Sequence, residues 1–105
     1  MSADTLAPMF AALADETRWS ILQALGEGDA SASALAGRLP VSRQAIAKHL
    51  AVLQEVGLVE PVRAGRELRF RVIGAELSAT AQRLDAIGRG WDRRLAAIKE
   101  IAEEL

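Results

Sequence analysis

Apolar residues recur at helical spacing in two short runs between Ser31 and Gly57. The residues of these runs are Leu35 and Leu39, followed by Ile46, Leu50 and Leu53. Pro40 cannot continue a helix, and Ser42 offers a hydroxyl that can cap the first free N–H groups of the next one. Gly57 stands where helices commonly end on a left-handed residue. The pattern predicts two short helices joined by a tight turn.

The next stretch, residues 58–73, changes to a two-residue alternation typical of a strand with one buried face. Its apolar members are Leu68, Phe70 and Val72, and they alternate with Glu67, Arg69 and Arg71. Pro61 lies in the preceding run, where proline is tolerated only on an edge strand or at a bulge. Ala64-Gly65 is a turn signal between the two runs. We therefore expect a β-hairpin that carries Arg63 and Arg66 near its tip.

Two helices are predicted before this region. The first covers Thr5–Leu13, and its wide apolar stripe fits either an internal core or half of a subunit interface. Asp15 resembles an N-cap, and a second helix is expected from there to about Leu25. Trp19 on this second helix is expected in the core or at a subunit interface, or lining a cavity for an apolar effector.

The last part of the chain, residues 75–105, predicts one long helix after the break at Gly74. Apolar residues recur every seven positions at Leu77, Leu84, Trp91, Ile98 and Leu105, with Ile87, Leu95 and Ile101 between them. Such a helix spans about 45 Å, which exceeds the width of a domain of this size. Part of the seam is therefore expected to pack against a second copy of the chain.

These elements predict a mostly α protein with a small β-hairpin, of the α+β class. Their order is α1-α2-α3-α4-β-β-α5, which is the winged helix-turn-helix arrangement. We expect residues 1–105 to form one domain, with dimerisation through residues 4–14 and 75–105.

Composition narrows the class of protein. The chain has 105 residues, half of them hydrophobic, and no cysteine. It lacks a secretory signal pattern and an apolar run near the ~18 residues of a membrane span, so we expect a cytoplasmic protein without membrane contact. With no Cys, no Tyr, one His and no glycine-rich phosphate loop, there is little from which to build an active site, and we expect no enzyme and no cofactor.

The charge is unevenly distributed although the net charge is only −1. Between Arg38 and Arg71 there are seven basic and three acidic residues, while the remainder of the chain is net acidic. A local basic field on an acidic molecule is typical of a DNA-binding module. A polar helix face with Gln44 and Lys48 suits the major groove, because Gln can hydrogen-bond adenine and Lys can pair with guanine or phosphate.

The predicted contacts to double-stranded DNA are Ser42, Arg43, Gln44, Ala45, Lys48, Arg63 and Arg66. The alternative is a solvated helix face, or a winged-helix module that binds protein instead of DNA. We expect a structural or phosphate-proximal role for His49. Arg18 is expected to form a structural ion pair with a carboxylate such as Asp15, or else to contact phosphate.

Several segments together resemble the ArsR/SmtB family of winged-helix transcriptional regulators. They are Leu13-Ala14-Asp15-Glu16-Thr17-Arg18 with Ile21-Leu22, the segment from Val41-Ser42 through Ala45-Ile46-Ala47-Lys48-His49-Leu50 to Gly57-Leu58-Val59, and Gly65-Arg66 before Arg69-Phe70-Arg71-Val72. Ala47 departs from the Ser or Thr that many members have, which removes one DNA contact. The stretch from Gly90 to Lys99 resembles a subgroup of small repressors often encoded beside SRPBCC-type, lipid-binding-like proteins.

The resemblance implies a homodimer that binds a partly palindromic operator and represses transcription, including that of its own operon. The implied interface residues are Leu6, Met9, Phe10, Leu84, Trp91, Leu95 and Ile98. Metal-sensing members use cysteines on the third helix or acidic and histidine ligands on the last. Here Ser31 and Ser33 occupy the third-helix positions and the last helix has no histidine, so no metal site is expected. A small-molecule or protein effector is left open.

Overall fold

The computed structural model describes residues 3–104 of the chain, and the side chains of residues 7–103. The elements in this part, in chain order, are α1 (Ala3–Ala14), α2 (Glu16–Glu27), β1 (Ala30–Ser31), α3 (Ala32–Arg38), α4 (Arg43–Glu55), β2 (Val59–Ala64), β3 (Glu67–Val72) and α5 (Gly74–Glu104). They form two compact units, Met1–Gly74 and Ala75–Leu105. The predicted helices and hairpin are confirmed, and the arrangement of the first unit is a winged helix-turn-helix.

Helix boundaries follow from capping side chains. Asp15 Oδ1 accepts a hydrogen bond from the Arg18 N–H at 3.0 Å, and Ser42 Oγ accepts one from the Ala45 N–H at 3.2 Å. Both predicted N-caps are confirmed. Ser31 caps α3 in the same way, through the Ala34 N–H at 3.0 Å. Each cap satisfies one of the N–H groups that a helix start leaves without an intrahelical partner.

The sheet has one strand more than predicted. Its antiparallel order is β1-β3-β2, and the two residues of β1 pair with Phe70 and Arg69 of β3. β2 is therefore an edge strand, which is where Pro61 can be accommodated without losing a ladder hydrogen bond. β1 was not predicted, because two residues carry no periodicity of their own.

The core of the first unit is formed by aliphatic residues at the predicted helical positions. Its fully buried members include Ile21, Leu35, Ile46, Leu50, Leu53, Leu58 and Val59. The exposure of Trp19 excludes one of its expected positions, the core of its own chain, and the burial expected for Leu68 was wrong. Trp19 is 50% exposed and is not a core residue of its own chain. Leu68 is 41% exposed, because it pairs with Arg63 near the tip of the hairpin, beyond the end of the core.

The second unit consists of α5 from Ala75 onward, a continuous helix. Six of its large apolar side chains are exposed in the single chain, namely Leu84, Ile87, Trp91, Leu95, Ile98 and Ile101, whereas Leu77 is half-buried. At 100° per residue these six side chains form one stripe along the helix. No helix in residues 3–104 is long and apolar enough to cross a membrane.

Candidate nucleic-acid interface

The α4 helix has a buried side and an exposed side. Ile46, Leu50 and Leu53 are at most 1% exposed and attach the helix to the core. Gln44 and Lys48 lie on the opposite side and are exposed to solvent. Their side chains are therefore available to a partner.

The hairpin presents two arginines. Arg63 pairs with Leu68 near the end of the ladder, and Arg66 lies in the two-residue loop that follows Ala64. Gly65 takes up φ +65°, the backbone conformation that the first position of such a loop requires. Both arginine side chains are exposed, as predicted from the position of the turn.

An open groove of about 590 Å³ lies between α4 and the hairpin. Arg43 contributes to its wall from α4, and Arg63 and Arg66 contribute from the hairpin. The groove thus brings three of the predicted DNA-contact residues together. Gln44 and Lys48 are not among its lining residues, and they lie on the adjoining outward face of α4.

The two remaining predicted DNA contacts, Ser42 and Ala45, differ in the hydrogen bonds that their side chains can form. Ser42 is exposed, but its oxygen already accepts the capping hydrogen bond, so its hydroxyl can only donate to a phosphate or accept a second bond. Ala45 is half-buried and offers only a methyl group. Gln54 and Leu68, which were not predicted, also line the groove. Gln54 lies on the same side of α4 as Arg43, which a helical wheel could have indicated.

Ion pairing divides the basic residues of this region into two groups. Three arginines have carboxylate partners, in the pairs Arg38–Glu27 at 2.9 Å, Arg69–Glu67 at 3.2 Å and Arg71–Glu60 at 2.6 Å. In the part of the chain that the structure describes, no ion pair is recorded for the other four cations, which are Arg43, Lys48, Arg63 and Arg66. These four are the basic residues predicted to contact DNA. No carboxylate among the described residues pairs with them.

Arg18 and His49 are held inside the protein. Arg18 donates hydrogen bonds to the carbonyls of Ala12 and Ala11, at 3.1 and 3.2 Å. Its Nη1 lies 3.3 Å from His49 Nδ1 and 4.0 Å from Asp15 Oδ2. Arg18 is thus a structural residue in this chain, as one of the two expectations proposed.

The predicted interface residues are found in different environments. The side chain of Leu6 lies outside the described residues. Met9 is only 2% exposed and has almost no surface left for a partner, whereas Phe10 is half-buried. Those on α5 belong to its exposed stripe, and the Arg94 guanidinium lies 5.5 Å from the centre of the Trp91 ring. Within residues 7–103, no group of three or more His, Cys, Asp or Glu side chains could hold a metal ion.

The exposed polar face of α4 is followed by a hairpin whose Arg63 and Arg66 have no ion-pair partner among the described residues, and this is the arrangement of winged helix-turn-helix proteins, which as a class bind DNA. Residues 13–62 match a family model described as a helix-turn-helix domain. The chain is 36% identical over 92 residues to the HTH-type transcriptional regulator Rv2034 of Mycobacterium tuberculosis, covering 88% of this chain and 83% of that protein. It is 67% identical to an ArsR-like transcriptional regulator from Rhodococcus sp. RHA1, whose structure covers 94% of this chain and 93% of its own with a TM-score of 0.78.

The chain therefore belongs to the ArsR family of winged helix-turn-helix transcriptional regulators, which are DNA-binding proteins and not enzymes. Two further similar structures are described by their oligomeric state or by the metal that they sense. The Mb0332 domain from Mycobacterium bovis, described as homodimeric, is 27% identical, with coverage of 88% and 82% and a TM-score of 0.66. CmtR from Mycobacterium tuberculosis, described as a cadmium metal-sensor, is 35% identical, with coverage of 74% and 81% and a TM-score of 0.61.

Proposed function

We propose that this regulator is a dimeric repressor that reads a partly palindromic operator, including one at its own promoter, and that it does not respond to metal ions. The observation that carries the DNA-reading part is the distribution of unpaired charge. Arg43, Lys48, Arg63 and Arg66 have no recorded ion-pair partner in the described part of the chain, and all four lie on α4 or the hairpin. Cations left unpaired on one surface are suited to phosphates.

Each residue has a distinct role in this proposal. With α4 in the major groove, Gln44 hydrogen-bonds an adenine edge and Lys48 contacts guanine or phosphate. Arg43 and the hairpin arginines contact the flanking backbone or the minor groove, which fixes the position of α4 without reading sequence. Ser42 donates to a phosphate, and the methyl of Ala45 allows close approach to the bases.

The dimer rests on the apolar stripe of α5. Trp91, Leu95 and Ile98 are 56%, 58% and 61% exposed in the single chain, which is a large apolar surface to leave in water. The homodimeric Mb0332 domain supports an assembly of the same kind. Two copies related by a two-fold axis present two recognition helices, and this symmetry calls for a partly palindromic site.

The proposal that metals play no part rests on the ligands the sequence offers. There is no cysteine, and the one histidine, His49, is engaged by Arg18. Soft and borderline metals select thiolate or imidazole ligands, and isolated carboxylates are poor substitutes. The cadmium sensor CmtR shows that metal sensing occurs among relatives, so this part of the proposal concerns the present chain alone.

The test is DNA selection with the purified protein, followed by gel shifts of single variants at two salt concentrations. Lys48→Ala and Arg66→Ala each should weaken operator binding without changing the folded state. Arg66→Ala should also reduce the slope of log affinity against log salt by about one, because one phosphate contact is lost. The matched control is Arg69→Ala, which removes the same charge from the same hairpin but from a residue that is paired with Glu67.

Arg69→Ala is expected to change operator affinity least. Equal losses for the control and for the two test variants would show that only net charge matters, and would contradict the assigned contacts. Failure of the wild-type protein to enrich any DNA sequence would favour a protein-interaction module instead.

A further inference from the structure

Arg18 connects three helices through one guanidinium group. It belongs to α2, and its Nε–H and Nη2–H donate to the carbonyls of Ala12 and Ala11 at 3.1 and 3.2 Å. These carbonyls belong to the last four residues of α1, which have no intrahelical partner. The third contact is from Nη1 to His49 Nδ1 of α4, at 3.3 Å. The Arg18 side chain is 17% exposed; its contacts to Ala12 and His49 are partly buried, and the contact to the Ala11 carbonyl is exposed.

The contact to His49 depends on its protonation state. An arginine side chain has donors only and stays protonated, so Nδ1 of His49 must accept the hydrogen bond. The imidazole is then neutral and carries its proton on Nε2. A protonated imidazole would direct a second N–H at the guanidinium and would face a like charge. The hydrogen bond between Arg18 and His49 therefore exists only while His49 is neutral.

The charged groups around His49 give the protonated ring another partner. Oδ1 of Asp15, the N-cap of α2, lies 4.0 Å from Nδ1, and Glu55 of α4 lines the same crevice as Arg18. Asp15 Oδ1 already accepts the backbone N–H of Arg18. On protonation, Nδ1 gains a hydrogen and becomes a donor, so it can no longer accept from Arg18 and can donate to Asp15 instead, which exchanges one partner for another.

His49 is next to Lys48 in the chain, and its side chain is attached on the opposite half of α4 from Gln44. A hydrogen bond at this point fixes the rotation of α4 about its axis, and thereby the position of its outward side chains. We propose that Arg18 and His49 are positioning residues for operator binding, and that protonation of His49 releases the operator. The inference rests on the proposed DNA-reading role of α4.

The experiment compares the wild-type protein with two variants at one position. In His49→Asn, the side-chain oxygen replaces Nδ1 as acceptor and does not titrate. In His49→Leu, no acceptor remains. Affinity for the selected operator is measured by fluorescence anisotropy at pH 8 and at pH 5.5, a range across which a histidine side chain can change its charge. A scrambled duplex of equal length corrects for general effects of pH on DNA binding.

We expect the wild-type preference for the operator over the scrambled duplex to fall at pH 5.5 by about tenfold, the scale of one hydrogen bond to a charged group. His49→Asn should keep the wild-type preference at both pH values, and His49→Leu should show the reduced preference at both. His49 is the only histidine in the sequence, so its NMR titration can be followed without assignment, in protein lacking a histidine tag. The midpoint of that titration should coincide with the midpoint of operator release.

Two outcomes would overturn the proposal: full operator preference in a folded His49→Leu protein, or the wild-type pH response retained in His49→Asn. Lys48→Ala separates this inference from the proposed function. If Lys48→Ala weakens binding while the His49 variants behave as wild type, α4 reads DNA but His49 does not position it. If Lys48→Ala also has no effect, the DNA-reading role of α4 itself has failed.

Discussion

At the scale of single residues, three short polar side chains decide where helices begin. Asp15, Ser31 and Ser42 each accept a hydrogen bond from the N–H three residues later, at 3.0 to 3.2 Å. Only Asp15 is ionisable. The hydrogen bond from the backbone N–H of Arg18 lowers the pKa of its carboxyl below the usual value, and the nearby Arg18 charge acts in the same direction. Burial opposes this effect.

The lowered pKa gives a pH dependence with a definite sign. A carboxyl with a lower pKa in the folded state contributes stability above its unfolded pKa and loses it as pH falls through the folded pKa. Asp15→Asn keeps an N-capping oxygen but removes the titration. Between pH 5 and pH 3, the melting temperature of the wild type should therefore fall more than that of Asp15→Asn.

Thermal unfolding by circular dichroism, at fixed protein concentration, measures this difference. Glu103→Gln is the control, because Glu103 is exposed and has no ion pair recorded in the described part of the chain. Its melting temperature should follow that of the wild type at both pH values. An equal fall for wild type and Asp15→Asn would show that the charge of Asp15 does not stabilise α2.

The caps at Asp15 and Ser42 were predicted from the sequence because each acts over three residues, and the left-handed conformation of Gly57 was predicted from its place at the end of a helix. The sequence could not predict which arginines form ion pairs and which do not. Arg63 and Arg71 look alike in the sequence, yet only Arg71 has a carboxylate beside it, from Glu60 on the paired strand. That pairing depends on the strand register. The burial of Met9 and the exposure of Trp19 likewise depend on how the helices pack, which the sequence alone does not show.

At the scale of elements, the end of α4 fixes how the chain enters the hairpin. Gly57 has φ +83°, the Leu58 N–H donates to the Leu53 carbonyl at 2.9 Å, and the Gly57 N–H donates to that of Gln54 at 3.1 Å. This is a Schellman motif. It turns the chain directly into β2, so that α4 and the hairpin line one groove. The strand β1 shows the limit of prediction at this scale, because a two-residue strand is defined only by its partner.

Gly57→Ala tests the role of that turn. A Cβ at this position would meet no atom within 4 Å, so its cost is the left-handed backbone alone, roughly 1–2 kcal/mol. Gly37→Ala is the matched control, since Gly37 lies within α3, also has open space, and should gain up to about 1 kcal/mol in helix propensity. Urea unfolding at one protein concentration gives both values. Wild-type stability for Gly57→Ala would contradict the argument.

At the scale of the whole molecule, the proposed function makes DNA binding depend on a second copy. The first unit supplies α4 and the hairpin, and the second supplies the exposed stripe of α5. In that proposal, one copy reads one half-site. Joining two copies makes the second half-site contact intramolecular, which raises the affinity for a paired site well above that of either half. Assembly and operator recognition should therefore be lost together.

Trp91→Glu tests whether operator recognition depends on dimer assembly. Trp91 is 56% exposed in the single chain, so the substitution leaves each subunit folded but places a charge in the proposed interface, where burying it without a partner is unfavourable. We expect a monomer in sedimentation velocity, unchanged helix content, and operator affinity reduced at least tenfold, to the level that wild type shows for a single half-site. Ala96→Glu adds the same charge to the opposite side of α5 and should remain a dimer with wild-type affinity. If Trp91→Glu stays dimeric, Trp91 does not belong to the interface. If it is a monomer that binds the operator with full affinity, one copy suffices for recognition.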